Sequence, residues 1–320
     1  MSVRIGFIGT GGIANHHFNQ LPKIERANLV AFTDVLEDKA KAAAARFNGT
    51  AYTDYRRMLD QEKLDAVYIC LPPFAHGDPE QAVIDRNLAL FVEKPVSTEL
   101  QVARNISAQI EEKKLITCVG YNWRYQDTTD RAMEILAGKR PALGIGYWIG
   151  GTPGVAWWRV KAQSGGQAVE QTTHIFDVAR YLIGEVKTVY ATGSYGLVTD
   201  LPNYDIEDAT SVSLTFHNGA VATILSSCVA SQGYGAEIHV IASGVTVKLG
   251  TGKLVVEEVG KTTSYPSQNN PYQRESEIFL AAVETGDPSA IRSSYQESLN
   301  SLAITLAIDE SLASGQAVSV

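Results

Sequence analysis

The stretch VRIGFIGTGGIA, residues 3–14, decides the fold of this chain. Its first half is a short apolar strand from Val3 to Ile8, and a glycine turn follows it directly. The spacing Gly9-x-Gly11-x-x-Ala14 fits the fingerprint of dinucleotide-binding proteins. There, the first glycine permits a tight turn, the second lets a pyrophosphate approach the backbone, and a small third residue lets a helix pack closely on the strand. Glycine turns are common, so the surroundings must support this interpretation.

Two features near the glycine turn support a cofactor role. A second apolar run ends at Thr33 and is followed by Asp34, at the distance where an acidic residue binds the ribose hydroxyls. The helix expected after the turn offers free N–H groups and a positive dipole end to phosphates. NAD is therefore the predicted cofactor, and NADP is disfavoured because a carboxylate repels a 2′-phosphate. The predicted contacts here are Gly9, Thr10, Gly11, Gly12, Ile13 and Asp34.

The composition argues against several classes of function. The chain has 320 residues, which is enough for two domains, and a formal net charge of −8, which argues against nucleic acids and anionic membranes as partners. It has no run of the roughly 20 apolar residues that a membrane helix needs. Cys70, Cys118 and Cys228 lie in apolar runs without a C-x-x-C pair, so we expect buried thiols and no metal site. A cytoplasmic protein is expected.

Strands and helices alternate in the first third of the chain. The predicted strands are Val3–Ile8, Leu29–Thr33, Ala66–Cys70, Leu88–Val92 and Ile116–Gly120. The predicted helices are Ala14–Gln20, Leu36–Phe47, Tyr55–Asp60, Pro79–Arg86 and Glu99–Lys113. This alternation predicts an α/β, doubly wound parallel sheet, whose ligands bind beyond the carboxyl ends of the strands. Further cofactor or substrate contacts are therefore expected at Leu71, Pro72, His76, Glu93, Lys94, Tyr121, Asn122 and Arg124.

The pattern changes after Gly120 to a period of two. The predicted strands are Ser211–Phe216, Ala220–Ser226, Glu237–Ile241, Val245–Leu249 and Lys253–Glu257. The predicted helices are Asp127–Ala137, Thr173–Leu182, Gln273–Thr285 and Tyr295–Ser314. Asn218-Gly219 predicts a hairpin, and Gly260–Pro271 is predicted to be a loop. The expected second domain is α+β with a large, mostly antiparallel open sheet, which gives domains 1–121 and 122–320. Because one face of such a sheet needs cover, we expect a homo-oligomer.

The tripeptide Glu93-Lys94-Pro95 follows the apolar strand that ends at Val92. The proline disfavours helical dihedrals at Lys94, and its own peptide bond is a candidate for the cis form. An isolated tripeptide of this kind is usually a surface lysine before a loop. At the end of a strand in a dinucleotide-binding sheet, however, the lysine is suited to donate a hydrogen bond to a substrate hydroxyl and to assist proton transfer.

A second cluster, SGGQAVEQTTHIFD, occupies residues 164–177. Glu170 and His174 are four residues apart, so they share one face if the segment is helical. A carboxylate beside an imidazole fixes its tautomer and raises its pKa, as in a general base. The alternative is a helix cap with a core histidine. Asp177 and Arg180 are expected either to pair on a helix surface or to brace the site.

Two aromatic segments are further candidates for substrate contacts. Trp157-Trp158-Arg159 precedes the second cluster, and its rings and cation suit a sugar. The two tryptophans are equally consistent with a core or a subunit contact. Tyr121 and Arg124, after the last predicted Rossmann strand, are expected to reach the nicotinamide or the substrate. His16 and His17 are interpreted as non-catalytic.

Together these motifs resemble the Gfo/Idh/MocA family, which includes glucose–fructose oxidoreductases and inositol dehydrogenases. The resemblance covers essentially the whole chain. It rests on GFIGTGGIA at residues 6–14, FVEKPV at 91–96 and GGQAVEQTTHIFD at 165–177, in this order. It implies a Rossmann domain followed by an α/β domain with an open sheet, and dimers or tetramers formed through that sheet. Members typically oxidise a secondary hydroxyl of a sugar or cyclitol, or reduce the ketone, with NAD or NADP.

The resemblance also implies roles for individual residues. Lys94 is expected to contact both cofactor and substrate, and His174 to act as general acid/base. Many members carry an aspartate where this chain has Glu170, so this residue either orients His174 or binds a substrate hydroxyl. Gln167 and Thr172 replace glycines of the commoner form. The hypothesis places the substrate hydroxyl between Lys94 and His174, with Tyr121, Arg124, Trp158, Arg159 and Glu170 as further substrate contacts.

Two alternatives from other functional classes remain. Some relatives are hydrolases that use bound NAD transiently to cleave glycosides, and others are cofactor-binding regulators without catalysis. The presence of both Lys94 and His174 weakens the regulator hypothesis. Net production of NADH distinguishes a dehydrogenase from both alternatives.

Overall fold

Six short parallel strands form the first sheet in the computed structural model, which describes residues 2–320. The strands are β1 Val3–Ile8, β2 Ala27–Thr33, β3 Thr50–Tyr52, β4 Ala66–Ile69, β5 Ala89–Val92 and β6 Thr117–Val119. Their order is β3-β2-β1-β4-β5-β6, so the direction of winding reverses between β1 and β4. This confirms the predicted doubly wound sheet. The edge strand β3 was not predicted, since three half-exposed or exposed residues carry little periodicity.

The nine predicted helices are present within two residues of their predicted bounds, and two further short helices, the seventh and eighth in chain order, were not predicted. They are α1 Gly12–Gln20, α2 Glu37–Phe47, α3 Tyr55–Gln61, α4 Asp78–Asp85, α5 Leu100–Lys113, α6 Asp127–Leu136, α7 Lys161–Ser164, α8 Gln167–Glu170, α9 Thr173–Ile183, α10 Pro271–Thr285 and α11 Tyr295–Ser314. Local chemistry fixes several ends. Asp54, for example, caps α3 by accepting from the Arg56 N–H at 2.8 Å, and Asn48 ends α2 with a left-handed φ of 54°.

Stacked aromatic rings hold the first sheet against its helices. Phe7 lies 4.7 Å from Phe18 of α1 and 5.0 Å from Tyr68, measured between ring centroids. Tyr68 in turn stacks on Phe91 of β5 at 4.4 Å. All of these side chains are buried, as expected for strands covered by helices on both faces. The rigid sheet therefore fixes the strand ends from which the candidate site is built.

The second sheet has nine strands. They are β7 Pro141–Ile149, β8 Val186–Ser194, β9 Ala209–Phe216, β10 Val221–Ser227, β11 Gly235–Ala242, β12 Val245–Gly250, β13 Lys253–Glu258, β14 Lys261–Pro266 and β15 Val318–Ser319. Their order is β14-β13-β12-β11-β7-β10-β9-β8-β15, and all neighbours are antiparallel except β7 and β10. The predicted mostly antiparallel sheet is confirmed.

One prediction about this sheet was wrong. Gly260–Pro271 was expected to be a loop, but Lys261–Pro266 forms β14 and pairs with β13. The polar composition of this stretch suits an edge strand, where the outer hydrogen-bonding groups meet solvent. The predicted hairpin between β9 and β10 is present: Gly219 has φ of 87°, and Phe216 N–H donates to the Ala220 carbonyl at 3.0 Å. The turn therefore uses the freedom of glycine.

The two faces of the second sheet differ. One face packs its alternating apolar residues against α6 and α9 in a single core that includes Ile175, Val178 and Leu214. The other exposes apolar side chains, among them Leu143, Ile145, Val221, Leu225 and Tyr234. Exposed apolar patches of this kind mark contact surfaces.

Contacts divide the chain into two units. The first comprises Met1–Asn122 and Asn270–Leu299, and the second Trp123–Asn269 and Asn300–Val320. The first break lies one residue from the predicted boundary after residue 121. The prediction of a continuous second segment, 122–320, did not foresee that α10 packs with the first unit. Among residues 2–320, no helix is both long and apolar enough to cross a membrane.

Candidate active site

The glycine turn has the geometry that its sequence predicts. Gly9 has φ of 90°, and a Cβ there would overlap the Cys70 carbonyl, so only glycine fits. Beside Gly11 and Gly12, by contrast, no heavy atom lies within 4 Å of an added Cβ. Space is therefore open where a pyrophosphate would approach, and the N–H groups at the start of α1 adjoin it. Ala14 is fully buried, as close packing requires.

Asp34 is tied to the glycine turn. Its Oδ2 accepts from the Thr10 N–H at 3.0 Å and from the Thr10 hydroxyl at 2.9 Å. Its Oδ1 accepts from the Leu36 N–H at 3.0 Å. These bonds fix the carboxylate at the end of β2, where it is half-buried. The arrangement fits the predicted binding of ribose hydroxyls next to the pyrophosphate.

A cavity of about 440 Å³ adjoins this turn. Its polar lining is formed by Thr10, Gly11, Gly12, Asn15, Lys39 and Arg46. Two cationic side chains beside a glycine turn suit a phosphate-bearing ligand. Ile13 is half-buried on α1 beside it. The turn and its cavity therefore fit a dinucleotide.

The predicted contacts after β4 divide into two groups. Leu71 lies against the glycine turn, 3.1 Å from the position of a Cβ on Gly9, and Pro72 is half-buried next to it. The imidazole of His76 is instead fully buried, with Nδ1 2.5 Å from Glu80 Oε1. Its side chain therefore supports α4 in this conformation, and a direct cofactor contact by His76 stays a prediction.

The Glu93-Lys94-Pro95 turn follows β5 on the same sheet edge as the glycine turn. The Glu93 N–H donates to the Ile69 carbonyl at 2.9 Å, which extends the pairing with β4 by one residue. Lys94 is half-buried, and its bond to Pro95 is cis. The Glu93 carboxylate is buried and lies 2.8 Å from Nε2 of His17. No local pattern predicted this pair, because its members are far apart in the chain.

The second cluster is not one continuous helix. The short helix α8 ends at Glu170, and α9 begins at Thr173. Glu170 accepts a hydrogen bond from the Trp158 indole at 2.7 Å. His174 stacks on Trp148 of β7, with ring centroids 5.8 Å apart and planes at 23°. Trp148 was not predicted as a site residue, since β7 itself was not predicted.

Two predicted substrate contacts are buried in the second unit. Trp158 is only 1% exposed, so its indole supports Glu170. Arg124 is 1% exposed, and its Nε and Nη2 donate to Asp177 at 2.7 and 2.6 Å. Asp177 also accepts from the Ser301 hydroxyl at 2.5 Å. These bonds brace α9, the helix that carries His174.

The alternative of a surface pair between Asp177 and Arg180 is wrong, because both residues are buried. Arg180 Nη1 lies 3.8 Å from Asp177 Oδ1 and donates to Ser301 at 3.1 Å. The remaining predicted contacts are at least partly buried: Tyr121 and Asn122 in the first unit, and Arg159 in the second. Their roles toward a ligand stay predictions.

An ion-pair cluster of one lysine and two carboxylates, near residues 165–170, was not predicted. Lys161 Nζ lies 2.9 Å from Glu207 Oε1 and 2.6 Å from Asp309 Oδ1. Burial raises the pKa of Asp309 to about 6, and the Lys161 charge opposes this rise. The residues of this cluster lie far apart in sequence, so no local pattern could reveal it. Among residues 2–320, no group of three His, Cys, Asp or Glu side chains is arranged to hold a metal.

Comparison with known proteins places both units in one family. Residues 3–121 match the model described as an oxidoreductase family with an NAD-binding Rossmann fold. Residues 145–248 match the model of the GFO/IDH/MocA C-terminal domain. Together the two matches cover more than half of the chain.

Individual relatives match along nearly their full length. A myo-inositol 2-dehydrogenase from Thermotoga maritima is 28% identical over 305 residues, covering 90% of both chains. An inositol 2-dehydrogenase from Rhizobium meliloti is 27% identical over 336 residues, covering 100% of both. Among solved structures, a levoglucosan dehydrogenase in complex with NADH and levoglucosan has a TM-score of 0.90 with all of both chains covered. At 19% identity, that last likeness shows the fold alone.

Proposed function

The chain belongs to the GFO/IDH/MocA family of NAD-binding oxidoreductases, and on that premise we propose that it transfers a hydride between a secondary hydroxyl-bearing carbon of a sugar or cyclitol and NAD. The observation that carries this proposal is the position of Lys94. It follows β5, and β5 is separated from β1 only by β4 in a parallel sheet. The carboxyl ends of these strands share one edge, so the lysine stands on the same edge as the glycine turn.

The cofactor supplies the redox chemistry when it is bound, because nicotinamide accepts or returns the hydride. The protein's part is to hold it in place. The open space beside Gly11 fits the pyrophosphate, and the fixed carboxylate of Asp34 fits the ribose. That carboxylate would repel a 2′-phosphate, which supports NAD over NADP.

We assign to His174 the role of accepting the proton of the substrate hydroxyl. In this proposal Lys94 donates a hydrogen bond to the hydroxyl oxygen and His174 takes the proton during oxidation. Stacking on Trp148 fixes the plane of the imidazole. Glu170 either orients His174 or accepts from a second substrate hydroxyl, while its bond from Trp158 fixes its own position. Positioned groups of this kind lower the barrier because little reorganisation remains to be done.

The substrate class follows from the names of relatives. Two of them, at 28% and 27% identity, are inositol 2-dehydrogenases, so cyclitols are the first candidates. Another, at 26% identity, is a D-xylose 1-dehydrogenase that uses NADP, so aldoses belong in the same test. That test determines which ring and which hydroxyl this chain selects.

The test is a panel of inositols, aldoses and anhydrosugars with NAD, followed by the absorbance of NADH. A dehydrogenase accumulates NADH with at least one of these substrates, and the K94A variant does so about a hundredfold or more slowly. Release of free sugar from a glycoside without net NADH would instead identify a hydrolase that uses NAD transiently. Tight binding of NAD without turnover on either set would identify a cofactor-binding regulator.

We also propose that the chain forms a homodimer or homotetramer through the second sheet. Its uncovered face carries Leu143, Ile145, Val221 and Leu225 as exposed apolar side chains. A solution mass equal to one chain would contradict this proposal. A cytoplasmic location is proposed because the three cysteines are buried and no disulfide joins them.

A further inference from the structure

A buried histidine lies beneath the turn that carries Lys94. The His17 side chain, on α1, is 0% exposed. Aromatic rings surround it, with centroids at 5.3 Å for Tyr68, 5.0 Å for Phe91 and 6.0 Å for Tyr272. Within residues 2–320, its Nδ1 has no hydrogen-bond partner. Such a position is costly for a polar ring and would suit an apolar one better, so packing alone does not account for a histidine here.

Within residues 2–320, the polar contact of this ring is with Glu93, the residue before Lys94. His17 Nε2 lies 2.8 Å from Glu93 Oε1, and Glu93 is also buried. The Glu93 carboxylate packs tightly against Gly120, where an added Cβ would lie 2.9 Å from the carboxyl carbon. The Glu93 N–H is bound to Ile69. Main chain and side chain of Glu93 are thus both fixed, and the fixation reaches Lys94 through one peptide bond.

The other titratable groups around this pair favour their neutral forms. Glu275 of α10 is 0% exposed, and burial, followed by the charge of Glu93, raises its pKa well above its usual value. Burial, again followed by Glu93, raises the pKa values of Cys70 and Tyr272. Burial likewise raises the pKa of Tyr68. Among these buried neighbours, the His17 ring nitrogen lies at hydrogen-bond distance from the Glu93 carboxylate, 2.8 Å away.

We propose that His17 is a positioning residue for Lys94, which it holds through its hydrogen bond to Glu93. Because His17 lies on α1, the same bond links the lysine turn to the helix that begins at the glycine turn. This link holds Lys94 at a fixed position relative to the cofactor site. This inference rests on the proposed function for its kinetic consequence, but its structural consequence, the placement of the Lys94 amine, can be measured without turnover.

The test compares H17F, which removes the donor, with H17Q, whose amide can place a donor near the Nε2 position. We expect H17F to lower kcat by at least about tenfold, since a shift of roughly 1 Å at a reacting group can cost about a hundredfold. The KM for NAD should change little, because the cofactor contacts are left in place. H17Q should recover most of the loss in kcat.

A second measurement reports on the lysine directly. The rate at which an acylating reagent modifies Lys94 is followed by mass spectrometry, with exposed Lys187 as the internal reference. H17F should change the rate at Lys94 and leave Lys187 unchanged. The stability control is F279L, because Phe279 lies in the same ring cluster, 5.8 Å from Tyr68 and 5.6 Å from Phe91, without a polar contact to Glu93. It should lower stability while preserving kcat and the Lys94 rate.

The variant E93Q completes the design. If His17 acts through Glu93, H17F costs far less kcat in the E93Q background than in the native one. Full additivity of the two losses would overturn the proposal, and so would an H17F variant that matches F279L in kcat and in the Lys94 rate. If the native protein turns over nothing in the panel, the proposed function fails, while the Lys94 modification rates still decide the role of His17.

Discussion

Removing the Asp177 carboxylate should destabilise the second unit strongly. Asp177 is 0% exposed and is held by Arg124 at 2.7 and 2.6 Å and by Ser301 at 2.5 Å. In D177A the guanidinium of Arg124, itself 1% exposed, keeps its charge and loses its bidentate acceptor. Breaking a buried pair from one side costs about 3–5 kcal/mol, because an uncompensated charge stays in the interior. That is a large part of the total stability of an ordinary domain, about 5–15 kcal/mol.

The chain offers a selective probe for this measurement. All 4 tryptophans, at positions 123, 148, 157 and 158, belong to the second unit. Urea unfolding followed by tryptophan fluorescence therefore reports on the unit that contains Asp177. The control is E134A, which removes an exposed partner of Arg131 at 2.7 Å. Its unfolding midpoint should stay close to the native value, because exposed pairs contribute little.

A double variant tests the cause of the loss. R124M/D177L removes both charges and fills the space with apolar groups, so it should be more stable than D177A. The reasoning is refuted if D177A and E134A unfold at similar urea concentrations. It is also refuted if the double variant is less stable than D177A, since the loss would then come from packing and not from the uncompensated charge.

Three further outcomes are expected. K94A and H174A should each lower kcat by about a hundredfold or more, the usual scale for a positioned acid or base, measured with the best substrate of the panel; near-native turnover in both would contradict the assignment. D34S should raise the ratio of kcat/KM for NADP to that for NAD by about tenfold or more, because it removes a carboxylate that repels the 2′-phosphate; an unchanged ratio would argue against the role of Asp34. Burial raises the pKa of Glu275 above the pKa of about 4.3 that a glutamate has in the unfolded chain. Above about pH 4.3 the folded state therefore binds more protons than the unfolded state, so the stability of the native protein falls as pH rises. The free energy of unfolding of E275Q, relative to that of the native protein, should therefore increase from about pH 5 to about pH 8, measured by urea unfolding with circular dichroism. The same difference in free energy at both pH values would contradict this.

The parts of the fold with a strong local pattern could be predicted from the sequence. The glycine turn and the central strands of the first sheet have continuous apolar runs, and each ends at a recognisable residue such as Asp34 or Glu93. The strands β7 and β8 have no continuous apolar run, since glycines interrupt β7 and polar residues end β8. The strand β14 is almost entirely polar, so only its pairing with β13 defines it.

Some features of the candidate site could likewise be predicted from the sequence, and others could not. The sequence correctly predicted that Lys94 follows a strand end, because the apolar run that ends at Val92 and the proline after Lys94 are local features. It could not foresee that Arg124 would be bound by Asp177, or that Trp158 would donate to Glu170. A charged or aromatic residue near a site is equally able to contact a ligand or to support its neighbours. Only the three-dimensional partners decide between these uses.

The position of α10 limits where this chain can be divided. The helix lies in the second half of the sequence but packs with the first unit, where Phe279 covers Tyr68 and Phe91 edge-on. A gene fragment that stops at residue 122 would leave those rings without cover and is expected to aggregate. Chimaeras that exchange cofactor domains between relatives must therefore carry Pro271–Thr285 with them, and a split between two polypeptides would need this helix to dock in trans.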